Sequence, residues 1–450
     1  MAALSHNHAK YQERLDYIQG LLVSRLGLLK TDVEGTKITP VQYDPDFPFK
    51  YNNFVYRLIL PAGTPDCLGS EGCKLEHLSG CVPIPAGTKE FILRLSNPDA
   101  EGMHQETRVQ NEVAILTLAT AALRPVKPAV VPRVFGWGAA GSGRTGWILQ
   151  ELMPGMPLAE EFSKNMSMDQ KRGILAQMAR LVKALQDYQL PESIKGWGGL
   201  TFDDAGAIVS APMPTVGAGP WSSLEDSYKD RLKVALARAD ANPHLQGWRV
   251  NGVRKRVDAF IEHGLPAYFA HLTSKHDRVI VHGDFVPENL LYDPPTGRIT
   301  ALLDYDFASI QHPGYEFLRS FNTNGGSFLG WSGGTSPEEQ EAEALRNAKL
   351  TSRFPSPLPA PVVSDNGAPA VDWELAQAWE VELQKLDVKR PSTIQGIDKL
   401  ADVDELLGSL LPFILTNEDF LKMNTDPDQR KGMKAMSERK LVGLLEHLGF

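Results

Sequence analysis

The apolar positions change their period along the chain, and each change marks an element. Over residues 8–30, Tyr11, Leu15, Ile18, Leu21 and Leu22 fall on one stripe, which predicts an amphipathic helix. Asn53–Leu60 (NFVYRLIL) and Glu90–Leu95 (EFILRL) are short runs that predict strands, and the Gly-, Pro- and Cys-containing stretch between them predicts a long hairpin loop. Helical spacing returns over 106–122, where Val109, Val113 and Leu116 share a face. Glu112 lies on that same stripe, where a charge needs a partner. A strand at Gly146–Gln150 then runs into Glu151-Leu152-Met153-Pro154-Gly155, and the Pro-Gly pair predicts a hinge.

Past the hinge the helical period dominates. Ser167 and Gln170 fit a capping box ahead of Ile174, Met178, Leu181 and Leu185. Residues 251–272 predict another helix, and Arg278–Val281 a short apolar strand. A small hairpin follows, from Leu290-Leu291-Tyr292 through the turn Asp293–Gly297 to Ile299–Leu303. Ser336-Pro337-Glu338-Glu339 starts a helix, with a cap, a first-turn proline and a glutamate three residues on. Residues 353–370 carry Pro355, Pro357, Pro359 and Pro361 and predict an extended connection. The last 80 residues return to helical patterning, and there is no internal repeat. The expectation is an α+β chain. A mainly β N-terminal lobe spans 1–150, with a helical extension at 1–30 and a loop insertion at 61–89; a mainly helical lobe spans 151–450.

The polar residues at the hairpin's mouth suggest chemistry. In HGDFVPENLL, residues 282–291, four residues separate Asp284 from Asn289. Phosphoryl transfer needs an acceptor hydroxyl held in line and metal to neutralise phosphate charge. A carboxylate such as Asp284 can receive the hydroxyl proton. A nearby amide oxygen such as that of Asn289 can complete a magnesium shell without adding charge. The hairpin that begins beside Asn289 ends at Asp304-Tyr305-Asp306, so both ends reach one mouth. HGD or DxD alone is weak; strand, HGD-x4-N, hairpin and DxD in order is specific.

HGDFVPENLL together with LLDYDFA resembles the aminoglycoside phosphotransferase/choline kinase-like family, in its long fungal-type members. The segments GGLTFDDAG, from Gly198, and Gly219-Pro220-Trp221 resemble it too; the likeness covers roughly residues 50–330. It implies a bilobal protein-kinase-like fold and transfer of phosphate from ATP, with Mg2+, to a hydroxyl of a small molecule such as an amino-alcohol or aminoglycoside. By that likeness Asp284 is the catalytic base, His282 braces its loop, Asn289 and Asp304 hold magnesium, and Asp306 supports or joins the metal. Arg94 on the third strand would hold the α/β-phosphates and pair with Glu112, as a buried carboxylate requires a cation. The family's usual lysine is replaced there. A G-x-G-x-x-G loop is absent, and Tyr51-Asn52-Asn53 occupies the expected turn, making Asn53 a nucleotide-side candidate. The backbone of Gln150, Glu151 and Met153 would meet adenine. Glu316 could face a cationic acceptor.

Charge and cysteine usage narrow the picture. A formal net charge of −9 argues against nucleic acid or an anionic membrane as partner. There is no secretory signal and no apolar run of 18 residues, so a cytoplasmic location is expected. Cys67, Cys73 and Cys81, with His77, could bind zinc tetrahedrally, but no CxxC pair is present and free thiols are the alternative. Three other functions compete with a small-molecule kinase. A pseudokinase or nucleotide-binding regulator is favoured by Arg94 and the missing glycines and opposed by the intact Asp284, Asn289 and Asp304. A protein kinase would need a glycine loop and an APE-like segment. A metal hydrolase would need further clustered ligands. Neither the acceptor nor the oligomeric state is written in these motifs.

Overall fold

The computed structural model describes residues 6–42, 44, 46–62, 64, 78–141, 144–360, 362–363 and 371–450. Its first sheet is built from β1 (Lys37–Pro40), β2 (Asn53–Ile59), β3 (Glu90–Ser96), β4 (Val134–Gly138) and β5 (Trp147–Glu151), in the order β1-β2-β3-β5-β4 with every pair antiparallel. The predicted hairpin forms with Asn53 opposite Ser96 and Val55 opposite Arg94. Helices α1 (Tyr11–Ser24) and α2 (Lys30–Glu34) flank this sheet. Ile18, Leu21 and Leu22 of the predicted stripe join Leu58, Phe91 and Leu149 in a small core. The N-terminal helix stops at Ser24, short of the expected Lys30, and Gly27 at φ 66° follows in the break.

Helix α3 (Gln105–Ala122) turns its apolar stripe away from that small core and into a much larger one. The larger core is filled by α4 (Met168–Asp187), α5 (Leu224–Ala241), α6 (Val253–Ala259), α7 (Leu265–Ala270), α8 (Pro313–Arg319), α10 (Trp373–Lys385) and α11 (Ile397–Leu410), while α9 (Pro337–Thr351) buries Leu345 and Ala348 in a separate small cluster with Val371 and Trp373. Three C-terminal helices complete the chain: α12 (Phe413–Thr416), α13 (Glu418–Met423) and α14 (Pro427–His447). Both predicted capping boxes are present, at Ser167/Gln170 and Ser336/Glu339. The helix predicted over 251–272 is instead α6 and α7 joined by a π-turn at Phe260–Gly264. Gly264 lies within the π-turn, and Pro266, which lacks an N–H, enters the first turn of α7.

Small sheets carry the polar motifs. β6 (Met156–Pro157) follows the hinge and pairs with β10 (Leu290–Asp293), whose other edge holds β11 (Arg298–Leu302). β7 (Gly199–Phe202) pairs with β8 (Ile208–Ala211), and β9 (Val279–Val281) with β12 (Ser309–Gln311). Val281 opposes Ser309, so the chain leaves and re-enters the core at one place, and 282–308 forms a single excursion between neighbouring strands. Asn111 of α3 anchors it: its Nδ2 donates to Ala308 O (2.9 Å), and its Oδ1 accepts from Leu200 N (2.8 Å). Residues 353–360 contain no helix or strand, as their prolines predict, while Pro361 and 364–370 lie outside the described residues. Among the described residues no helix is long and apolar enough to cross a membrane.

Candidate active site

The excursion 282–308 owes its shape to buried polar groups. His282 is fully buried; its Nε2 donates to Leu303 O (3.0 Å), and its Nδ1 accepts from Asp284 N (3.3 Å). Burial pushes its pKa down to about 4, which keeps the ring neutral and its two nitrogens in these opposite roles. The imidazole packs on Tyr305 with ring centres 4.6 Å apart. It therefore ties the Asp284 loop to the strand end that carries Asp304.

Glu316, expected to face an acceptor, points elsewhere. It is buried on α8, and its carboxylate accepts from His282 N (2.7 Å), Gly283 N (2.9 Å) and Ser320 Oγ (2.6 Å). Two consecutive amides on one carboxylate impose the sharp turn that Gly283 makes at φ 78°. A Cβ there would sit 2.8 Å from Phe307 O, so glycine is needed for space as well as conformation.

Asp284 and Asn289 emerge half-buried at the end of this loop. Asn289 Nδ2 donates to Asp284 Oδ2 (2.8 Å) and to Asp284 O (2.9 Å), and its Oδ1 accepts no hydrogen bond among the described residues. Burial raises the Asp284 carboxyl above its ordinary value, with Asn289 working the other way and the charge of Asp304 adding to the rise. Leu303 N donates to Asn289 O (2.8 Å), which sets Asp304 beside Asn289 across the ribbon end. Asp304 is at φ 62°, a left-handed backbone rare for a non-glycine residue, and its side chain is 39% exposed.

Behind these groups lies a buried ionic cluster. Arg94 of β3 donates to Glu112 of α3 (2.5 Å) and to Asp304 (2.8 Å), so the expected Arg94–Glu112 pair is present and reaches one carboxylate further. Asp306 is 3% exposed; it accepts from Asn53 Nδ2 (2.7 Å) and from Arg108 Nη2 (3.1 Å), and lies 3.5 Å from Arg94. Burial works against its charge, yet Arg108 and Arg94 hold the carboxyl below its usual range. Asn53 is committed on both sides, since its Oδ1 accepts from Arg108 Nη2 (3.1 Å). The first sheet is thus joined to the excursion through Asn53 and Arg94.

On the hinge side, Gln150 and Met153 are buried. Glu151 directs its carboxylate outward to Arg133 (2.8 and 2.9 Å), and its N–H is used by Arg133 O. Met153 N–H donates to no backbone carbonyl among the described residues. Cys81 is a free thiol against the larger core, pushed up to about 12 by burial. Cys67, Cys73 and His77 lie outside the described residues.

Sequence reading missed Arg108 and the arginines of a neighbouring cavity. Arg108 had a signal: it stands one turn before Glu112 on α3, a second charge on an apolar stripe. The cavity has a volume of about 320 Å³ and adjoins the Asp284 loop, with Gly283 and Phe307 in its wall and Arg231, Arg238 and Arg319 around it. Those arginines come from α5 and α8, and only the fold brings them together.

The scaffold is α+β, with Asp284, Asn289 and Asp304 at one mouth and a buried ionic cluster behind them. The family model described as "Phosphotransferase enzyme family" (APH) matches residues 84–356, more than half of the chain, and the chain belongs to that family. It is 27% identical over 183 residues to the aminoglycoside 3'-phosphotransferase of Streptomyces fradiae, covering 39% of this chain and 51% of that one. The chain spans about half the length of the curated relatives it matches. Among solved structures it is similar to the ADP-bound aminoglycoside phosphotransferase APH(2'')-Ib, at 11% identity and TM-score 0.44, covering 91% of this chain and 94% of that one. It is also similar to the ethanolamine kinase of Plasmodium vivax, at 13% identity and TM-score 0.44, covering 95% and 92%.

Proposed function

We propose that this protein transfers the γ-phosphoryl group of ATP to a hydroxyl of a small molecule. The observation that carries the reading is the exposure pattern: Asp284, Asn289 and Asp304 reach solvent together, while His282, Asp306 and Glu316 behind them are buried. In this reading Asp284 accepts the acceptor's proton, and Asn289 orients that carboxylate through its Nδ2. His282 and Glu316 act as positioning residues, fixing the loop from behind.

The donor set fits magnesium. Its oxygens are hard ligands, and Glu112, Asp304 and Asp306 each offer one within 4.8 Å of the others. Glu112 and Asp306 are enclosed by Arg94 and Arg108, so Asp304 and the free Oδ1 of Asn289 are the accessible ligands. Bound there, the ion would neutralise phosphate charge. Arg94 would exchange its bond with Asp304 for a phosphate oxygen, keeping Glu112 as its anchor. Adenine would lie along Gln150–Met153, with Met153 N–H as donor.

Labelled ATP, magnesium and a pool of hydroxylated metabolites test the reading. Asp284→Asn is expected to lower transfer by about 10²–10⁴-fold while nucleotide binding persists. Equal transfer by the variant would remove Asp284 from the base role; absence of magnesium-ATP binding by the wild type would end the proposal. The Arg94–Asp304 contact supports a second reading, a nucleotide-binding regulator, because it already neutralises the metal aspartate. That reading requires nucleotide binding with no product from any acceptor.

A further inference from the structure

The relatives named above act, by their names, on aminoglycosides and ethanolamine, which are cationic. The cavity beside the Asp284 loop has the opposite polarity. Arg231, Arg238 and Arg319 line it, and Glu101, its one lining carboxylate among the described residues, is occupied: Lys50 Nζ lies 3.1 Å from Oε1, and Asn417 Nδ2 donates to Oε2 (2.8 Å). Arg231 is 8% exposed, its Nη2 donates to Tyr315 Oη (3.1 Å), and Asp404 stands 3.7 Å away. Its Nη1 is buried without a hydrogen-bond partner. Among the described residues Arg238 bonds a carbonyl and an imidazole alone, Val216 O (3.3 Å) and His104 Nε2 (3.4 Å). Arg319 is exposed, and its guanidinium makes no ion pair or hydrogen bond among the described residues. Among the described residues neither Arg238 nor Arg319 has a carboxylate at ion-pairing distance, although the charges of Asp404 and Asp284 reach Arg319.

Resting on the phosphotransferase reading, we propose that this cavity is the acceptor subsite and takes a hydroxylated anion, carrying a carboxylate or phosphate, rather than a polyamine. Planar guanidinium groups bind such anions with paired hydrogen bonds, while an ammonium would meet like charge in a confined, partly desolvated space. The wall positions agree with the reaction. Gly283 precedes Asp284, and Phe307 follows Asp306, so an anion held by Arg319 and Arg238 leaves its hydroxyl on the Asp284 side. The hydroxyl oxygen then forms a bond to the γ-phosphorus, the bond from that phosphorus to the β,γ-bridging oxygen breaks, ADP departs, and the hydroxyl proton passes to Asp284.

Calorimetric titration of the wild-type protein with glycerate, glycerol 3-phosphate, ethanolamine and kanamycin tests the polarity directly, without requiring turnover. Binding of glycerate or glycerol 3-phosphate in preference to both amines is expected, and the two anions separate a carboxylate site from a phosphate site. Arg238→Ala/Arg319→Ala alters two exposed side chains and should weaken anion binding by about tenfold or more at unchanged Tm. Preference for either amine, no binding of either anion, or equal anion binding by the double variant overturns the inference. Titration with magnesium and a non-hydrolysable ATP analogue, run separately, reports on the phosphotransferase reading itself. Its failure would leave the cavity's polarity standing, and its success would not rescue it.

Discussion

At the scale of single residues, buried charges and imidazoles decide what the site can do. Arg108 and Asp306 are 2% and 1% exposed at the side chain, so removing one strands the other. Arg108→Ala is expected to cost about 3–5 kcal/mol of stability, measurable by urea unfolding. The pH dependence has two separate sources. His282 and His312 are held neutral, each pushed by burial to about 4, below the unfolded value of about 6.5. A depressed folded pKa means the unfolded chain binds more protons, so this stability is complete above pH ~6.5 and is lost as pH falls toward 4. Tm should drop through that window, and His312→Gln should flatten the drop. Activity has its own acid limb. If Asp284 is the base, its raised pKa places the loss of rate above the ordinary aspartate value of about 3.9. A kcat/KM profile with its acid limb below that value would contradict the assignment. Of these residues, the sequence exposed Asp284, Asn289, Asp304 and the Arg94–Glu112 pair, because motif spacing or a charge on an apolar stripe marks them. The direction of Glu316 was not legible, since a helix glutamate looks the same whether it meets solvent or two backbone amides.

At the scale of elements, segments with a period or a bounded apolar run were readable, and the shortest strands without either were not. Helices α3 and α4 and strands β2 and β3 lie within a residue or two of the sequence expectation. Strand β9 has three residues and is marked by its apolar run, whereas β6 and β12, with two and three, are too short for any period and exist because neighbours complete their ladders. The hinge is an instance. Pro154-Gly155 does end β5, yet the next two residues join the ribbon, pairing Met156 with Tyr292 and Pro157 with Leu291. Gly155 sits at φ 112°, where a Cβ would fall 2.3 Å from Thr300 Oγ1, itself a donor to Pro154 O (2.5 Å). Gly155→Ala is expected to destabilise the protein by about 1–3 kcal/mol and to loosen the ribbon first, as faster amide exchange over 290–302.

At the scale of the whole molecule, two of the contacts that tie the N-terminal part to the helical part differ in kind. One is the buried contact of Asn53, Arg94 and Arg108 with Asp304 and Asp306. The other lies at the outer edge. There Phe49 packs on Phe413 at 5.4 Å, and Lys50 meets Glu101 at 3.1 Å and Glu418 at 3.3 Å. Neither could be read from sequence, since 368 residues separate Lys50 from Glu418 and each is an ordinary surface charge on its own segment.

That outer contact gives the molecule a sensitivity the inner one lacks. Glu418 is 68% exposed and Glu101 34%, so dissolved ions reach both, and at physiological ionic strength a charge is felt over only about 8 Å. Small ions cannot enter around Asp306. Added salt should therefore act as a selective solvent for one edge of the protein, loosening the rim while the pivot holds. Because Glu101 borders the arginine-lined cavity, the rim is also its threshold. Potassium chloride would then have opposed effects on the entry of an anionic acceptor, loosening the rim at Lys50 while screening the pull of Arg319. The acceptor's off-rate, followed by stopped flow, should rise with salt, and Lys50→Ala, which removes the rim contact, should leave the on-rate falling with salt by screening alone.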